Sequence, residues 1–132
     1  MKKLIYMTGL LLLLIPVSAQ VVQLNVVEHF TNTSCSYCAS GNPSIHSTIE
    51  AANYVNHISI HPSSPYVNDV FNVQNKSEND DRTNFYGVYG STPRIVYNGA
   101  VITNSQLGTR ISQTDGIAQS NFDVTVEAQA TQ

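Results

Sequence analysis

Residues 26–43 read VVEHFTNTSCSYCASGNP. An apolar, β-branched run leads into a short polar turn, then Cys35-Ser36-Tyr37-Cys38, then a helix with Pro43 near its start. These are the only two cysteines among 132 residues. A C-x-x-C pair at the mouth of a helix that follows a strand is a pattern for thiol–disulfide chemistry. In an exported protein the same spacing also closes a small, inert disulfide ring, so the motif has a catalytic and a structural reading.

The N-terminus predicts export. Lys2 and Lys3 precede an almost unbroken apolar run from Leu4 to Val17, and Val17-Ser18-Ala19 places small residues at a signal peptidase site. Residues 1–19 therefore read as a secretory signal peptide cleaved after Ala19. The run falls short of the ~20 residues a span needs and no second one follows, so no membrane span is expected after cleavage. No cysteine lies near the cleavage point, which argues against a lipid anchor. The remaining 113 residues suffice for one domain with one core. Loss of Lys2 and Lys3 takes the net charge from −3 to −5, and an acidic chain with scattered cations has no footprint for nucleic acid.

Outward from the motif, residues 21–30 (VVQLNVVEHF) have few polar breaks and suit a central strand covered on both faces. Thr33 or Ser34 is positioned to cap the helix that follows. Ile45, Ile49 and Ala52 share one face of a helix expected over about 37–54, with Pro43 kinking it near Ala39. Residues 55–61 read as a second strand. Residues 69–86 are weakly helical, with KSENDDR a solvated turn or a first turn capped by Ser77, and Gly87 a natural stop. RIVY and AVI flank Asn98-Gly99, the strongest short-range hairpin signal. A last amphipathic helix is expected within 105–120. Phe122–Ala128 alternates with period two, so 121–132 reads as an edge strand or the opening of a second β domain.

The order strand, C-x-x-C helix, strand, helix, X-Pro-strand, hairpin, helix resembles the thioredoxin-like superfamily over about residues 20–120. Pro43 stands five residues after Cys38, where that family carries its helix proline, and GSTPRIVYNG resembles its Thr-Pro and Asn-Gly segment. VVEHFTNTSCSYC together with STPRIVYNG, behind a signal peptide, also resembles the 28-kDa outer-membrane-protein family of Gram-negative bacteria. That family joins a thioredoxin-like domain to a β domain. The resemblance implies an α/β fold with a central mixed sheet flanked by helices, a cis Thr92–Pro93 peptide, and a periplasmic, outer-membrane or cell-surface location. The chain departs from thioredoxin in its Ser-Tyr dipeptide and in Ser34, where a tryptophan is usual. It departs again in the long polar segment 62–86 and in His29, which stands where the family has a buried acid.

On this reading Cys35, at the helix mouth, is the nucleophile whose thiolate the helix N-terminus favours, and Cys38 resolves the mixed disulfide. Pro93 and Thr92 form the substrate-side platform, the partners are exported proteins bearing thiols or disulfides, and no cofactor is expected. His29 is the candidate proton shuttle to Cys38. Strand alternation can equally turn it outward and bury Glu28. A metal reading would join Cys35 and Cys38 to a histidine. His57 and His61 lie ~13 Å apart along a strand, too far to share an ion. His46 lies two turns beyond Cys38, so no metal is expected. The alternative function is an envelope interaction module with a fixed Cys35–Cys38 disulfide.

Overall fold

A computed structural model describes residues 21–120. The proposed signal peptide and the alternating segment after Phe122 lie outside the described residues. Val22–Ile117 form one compact unit, and Val21 with Ala118–Ser120 fall in a second. Val21–Val22 and Ala118–Ser120 are the strands of a separate two-stranded sheet. No helix among the described residues is long and apolar enough to cross a membrane.

The main unit runs β1 (Asn25–Phe30), α1 (Ser36–Glu50), β2 (Val55–Ile60), α2 (Val70–Gln74), α3 (Lys76–Tyr86), β3 (Arg94–Tyr97), β4 (Ala100–Ile102) and α4 (Leu107–Thr114). A 3-10 turn, Asn104–Gln106, leads into α4. The four strands form one mixed sheet in the order β2-β1-β3-β4. β1 pairs parallel with β2, antiparallel with β3, and β3 pairs antiparallel with β4. The protein is thus a mixed α/β fold around an open four-stranded sheet.

Period-two alternation splits the buried residues into two layers. Val27 of β1 joins Ile45 and Ile49 of α1, Ile95 and Tyr97 of β3, Ile102, and Leu107 and Ile111 of α4 in one cluster. Phe30, Ile60, Val96 and Val88 form the other, with Tyr86 of α3 packed against it. The single strand expected over 21–30 is split, because Val21–Val22 belong to the two-stranded sheet and only Asn25–Phe30 is central and covered on both faces. Two termini differ from the sequence expectation. The helix containing Pro43 is assigned without a break over Ser36–Glu50, shorter at its end than 37–54. The KSENDDR segment is neither a turn nor capped by Ser77, because α3 begins at Lys76 and runs through it with Asn75 at the cap position.

Asn98-Gly99 turns the β3–β4 hairpin with both residues at positive φ, 48° and 82°. Asn98 also reaches beyond its own turn. Its Oδ1 accepts the Val26 N–H at 2.8 Å, and its Nδ2 donates to Asn25 Oδ1 at 2.8 Å. One side chain thereby ties the hairpin to the start of β1.

The long polar segment has a buried organising group. Asp69 is fully buried and caps α2, accepting N–H bonds from Phe71 and Asn72. Its Oδ2 accepts the Thr33 N–H at 2.6 Å and the Thr33 hydroxyl at 2.9 Å, and His61 Nδ1 lies 3.1 Å from Oδ1. Burial alone would raise the carboxyl pKa, but these donors hold it at about 2. Asp69→Ala removes a helix cap and strands buried donors, so it should cost about 3 kcal/mol. Urea unfolding at pH 7 measures this; a loss under about 0.5 kcal/mol contradicts the role.

Candidate functional site

The turn that Asp69 holds delivers Cys35. Asn32 Oδ1 accepts the Ser34 N–H, and the Asn32 amide donates to the carbonyls of Pro62 and Tyr66. Neither Thr33 nor Ser34 caps α1. Cys35 itself is the N-cap, with extended backbone, and its Sγ accepts the Cys38 N–H at 3.1 Å. The sequence expectation failed here because hydroxyl caps are the usual choice, whereas Thr33 is already engaged by Asp69. A sulfur at an N-cap faces the unpaired N–H groups of the first turn, which favour negative charge.

Cys35 and Cys38 are free cysteines, 3% and 1% exposed, set side by side at the first turn of α1. Their environments push them apart. Burial raises the Cys35 pKa, but contacts from Cys38, Thr92 and the Cys38 and Tyr37 N–H groups outweigh it, and the net shift is downward. Cys38 moves up, first through burial and then through Cys35, with Thr92, Thr31 and Asn32 opposing weakly. One thiol is thus favoured as thiolate and its neighbour as thiol.

Thr92–Pro93 lies beside the pair. Its peptide bond is cis. The Cys35 thiol is 3.5 Å from the Thr92 carbonyl, and Thr92 Oγ1 is buried without a hydrogen-bond partner. A Cβ placed on Gly41 of α1 would stand 3.8 Å from the Pro93 ring, so the proline lies against the C-x-x-C helix. The structure thus brings Cys35, Cys38, Thr92 and Pro93 together. Tyr37 is 73% exposed between the cysteines. Arg94 is exposed and donates to Ser91 Oγ at 2.7 Å.

Both residues of the His29/Glu28 alternative are buried, on opposite faces of β1. Glu28 accepts from Arg82 Nε at 2.7 Å on the α3 side. His29 is 0% exposed on the α1 side, its ring nitrogens lack a partner at full hydrogen-bond geometry, and the polar side chain that acts on it is Asn42, not Cys38. Its ring packs instead against His46 of α1 and His57 of β2. By spacing, His57 stands nearest His61 on the strand expected over 55–61, and His46 two turns beyond Cys38 on its helix. His61 instead pairs with Asp69 and packs on Phe71. The three-histidine cluster is a tertiary juxtaposition with no sequence spacing to reveal it.

No family model matches the chain, and neither a curated protein nor a solved structure shows significant similarity to it.

Burial pushes the His29 pKa down to about 4, with His57, His46 and, more weakly, His61 adding to the effect and Asn42 opposing it. His57 is also lowered, by burial and then by His46. A histidine whose folded pKa lies below its unfolded ~6.5 contributes stability above pH 6.5, and loses it as pH falls toward 4. The His29 contribution is about 3 kcal/mol over that window. Urea unfolding from pH 7.5 to 4, in a chelating buffer, should show a steeper loss for wild type than for His29→Leu. Equal slopes would contradict a neutral, buried His29.

Proposed function

We propose that this chain is a thioredoxin-like thiol–disulfide oxidoreductase acting on exported proteins that bear thiols or disulfides. The observation that carries the reading is the asymmetry of the pair, with Cys35 at the N-cap of α1 and its pKa pushed down, and Cys38 one turn on with its pKa pushed up by burial. Further support comes from the parallel β1-α1-β2 unit followed by the β3–β4 hairpin and α4, and from Thr92–Pro93 beside Cys35. The proposed signal peptide puts the chain in the periplasm or at the outer membrane or cell surface, where such substrates reside.

In the reductive direction the Cys35 thiolate attacks one sulfur of a substrate disulfide. A Cys35–substrate S–S bond forms, the substrate S–S bond breaks, and the other substrate sulfur leaves as thiolate. Cys38 then loses its proton and attacks Cys35 Sγ. The Cys35–Cys38 bond forms, and the second substrate sulfur leaves. The pair has given two electrons to the substrate, and an external dithiol must return them. The oxidative direction is the reverse, with a substrate dithiol as the reductant. Thr92 and Pro93 form the surface along which an extended substrate segment lies.

A second reading, an envelope interaction module with an inert disulfide, is favoured by the burial of both sulfurs. Trapping separates the two. Reduced Cys38→Ala protein mixed with glutathione disulfide should accumulate one glutathione on Cys35, read by intact mass. Wild type should pass to the intramolecular disulfide. Absence of the adduct favours the inert module.

The reactivity profile is a further check. Iodoacetamide should modify Cys35 ahead of Cys38, with a rate midpoint below the ~8.5 of a free thiol. A midpoint at or above that value, or Cys38 reacting first, contradicts the assignment of nucleophile.

A further inference from the structure

We propose that His29, His46 and His57 form a three-imidazole site for a divalent transition ion of the zinc or copper type, separate from the cysteine pair. The three ring centres stand 5.7 Å (His29–His46), 5.6 Å (His29–His57) and 5.0 Å (His46–His57) apart. A point equidistant from them lies about 3.2 Å from each ring centre. A metal–nitrogen bond of ~2.0–2.1 Å, extended by the ~1.1 Å from a ring nitrogen to its ring centre, gives the same separation in a bound site. The centroid spacing is compatible with three imidazoles around one ion, while the ring planes, at 69°, 21° and 67° to one another, stand as in aromatic packing.

The donor atoms are available. Both nitrogens of His29 and Nε2 of His57 are buried without a hydrogen-bond partner. A neutral imidazole always carries one N–H and one lone pair, so a fully buried, unpartnered histidine leaves a donor and an acceptor unsatisfied, which is costly. Metal ligation occupies the lone pair. The remaining N–H of His29 needs an acceptor, and Asn42 Oδ1, one helical turn before His46, is buried and free. Asn42 is itself oriented by its Nδ2, which donates to Thr31 Oγ1 at 2.9 Å. That is the outer-shell arrangement metal-bound histidines use.

As the side chains stand, no group of three His, Cys, Asp or Glu residues among the described residues could hold a metal ion. The ring spacing is in place and the ring orientation is what binding supplies, by rotation about χ2, a torsion with broad wells in histidine. His46 and His57 are each only part-buried, and β2 is an edge strand, so an ion has a route in from that edge. Three protein ligands leave a fourth position for water or a small anion, and neutral imidazole donors select zinc, copper or nickel over magnesium or calcium.

The site stands independently of the redox reading, and the test keeps the two apart. A Cys35→Ser, Cys38→Ser chain without a polyhistidine tag is stripped with chelator and titrated with Co2+ by absorption and with Zn2+ by equilibrium dialysis. The expected result is one ion per chain, with visible Co2+ bands and no thiolate charge-transfer band. Affinity should fall ~100-fold or more in His46→Ala and in His57→Gln, and stay unchanged in His61→Gln. Circular dichroism confirms that each variant is folded. If the double serine variant does not fold, the oxidised wild-type chain replaces it. Failure to bind Zn2+ or Co2+ stoichiometrically overturns the site. Binding that survives both His46→Ala and His57→Gln, or that requires His61, overturns it equally.

Discussion

Strand β1 is hydrogen-bonded on both edges and covered on both faces, and the rest of the molecule is arranged by that constraint. A strand so placed exposes no side chain cheaply, so each polar residue on it must be answered by a partner. Asn25 is answered by Asn98 and Glu28 by Arg82. His29 is answered only by two other imidazoles. The end of β1 then releases the chain into Thr31–Ser34, where Asn32 and Asp69 fix the turn. Cys35 emerges at a set point over the first turn of α1.

Helix α1 consequently positions the residues of both proposed sites. At its N-terminus, Cys35 faces the N–H groups of the first turn and Thr92–Pro93. Further along the same helix, Asn42 and His46 project toward the face of the sheet that holds His29 and His57. The first region rests on the turn that Asn32 and Asp69 fix, on the N-terminus of α1 and on Thr92–Pro93. The second rests on three side chains from three elements. A fold of this size seldom leaves buried donors unanswered, which is why the imidazole cluster carries as much weight as the sulfur pair.

Much of this was legible in the sequence, for identifiable reasons. Asn98-Gly99 marked its hairpin because only such residues accept two successive positive φ values. The β-branched run with few polar breaks before the cysteines marked a central strand, though not its split after Val22, and Gly87 stopped α3 in the left-handed conformation. What was hidden depended on contacts between residues distant in the chain. Thr33 was a good N-cap by type, but Asp69, 36 residues later, had claimed it. The KSENDDR run read as a solvated turn or the first turn of a helix, because the groups that α3 turns inward are polar. Among them are Thr83, fully buried, and Arg82, which reaches Glu28. His46 and His57 looked unrelated because helix and strand spacing say nothing about which face meets which.

The proposed division of labour between the two thiols rests on a Cys35 pKa pushed down at the N-cap and a Cys38 pKa pushed up by burial. The reduction potential of the Cys35–Cys38 pair tests it most directly, measured by equilibration in graded thiol/disulfide buffers, acid quenching, alkylation and mass spectrometry. Stabilising the Cys35 thiolate stabilises the reduced form, so the potential should fall in the working range of oxidoreductases, about −120 to −270 mV. A potential below about −300 mV would mark a structural disulfide and contradict the redox assignment.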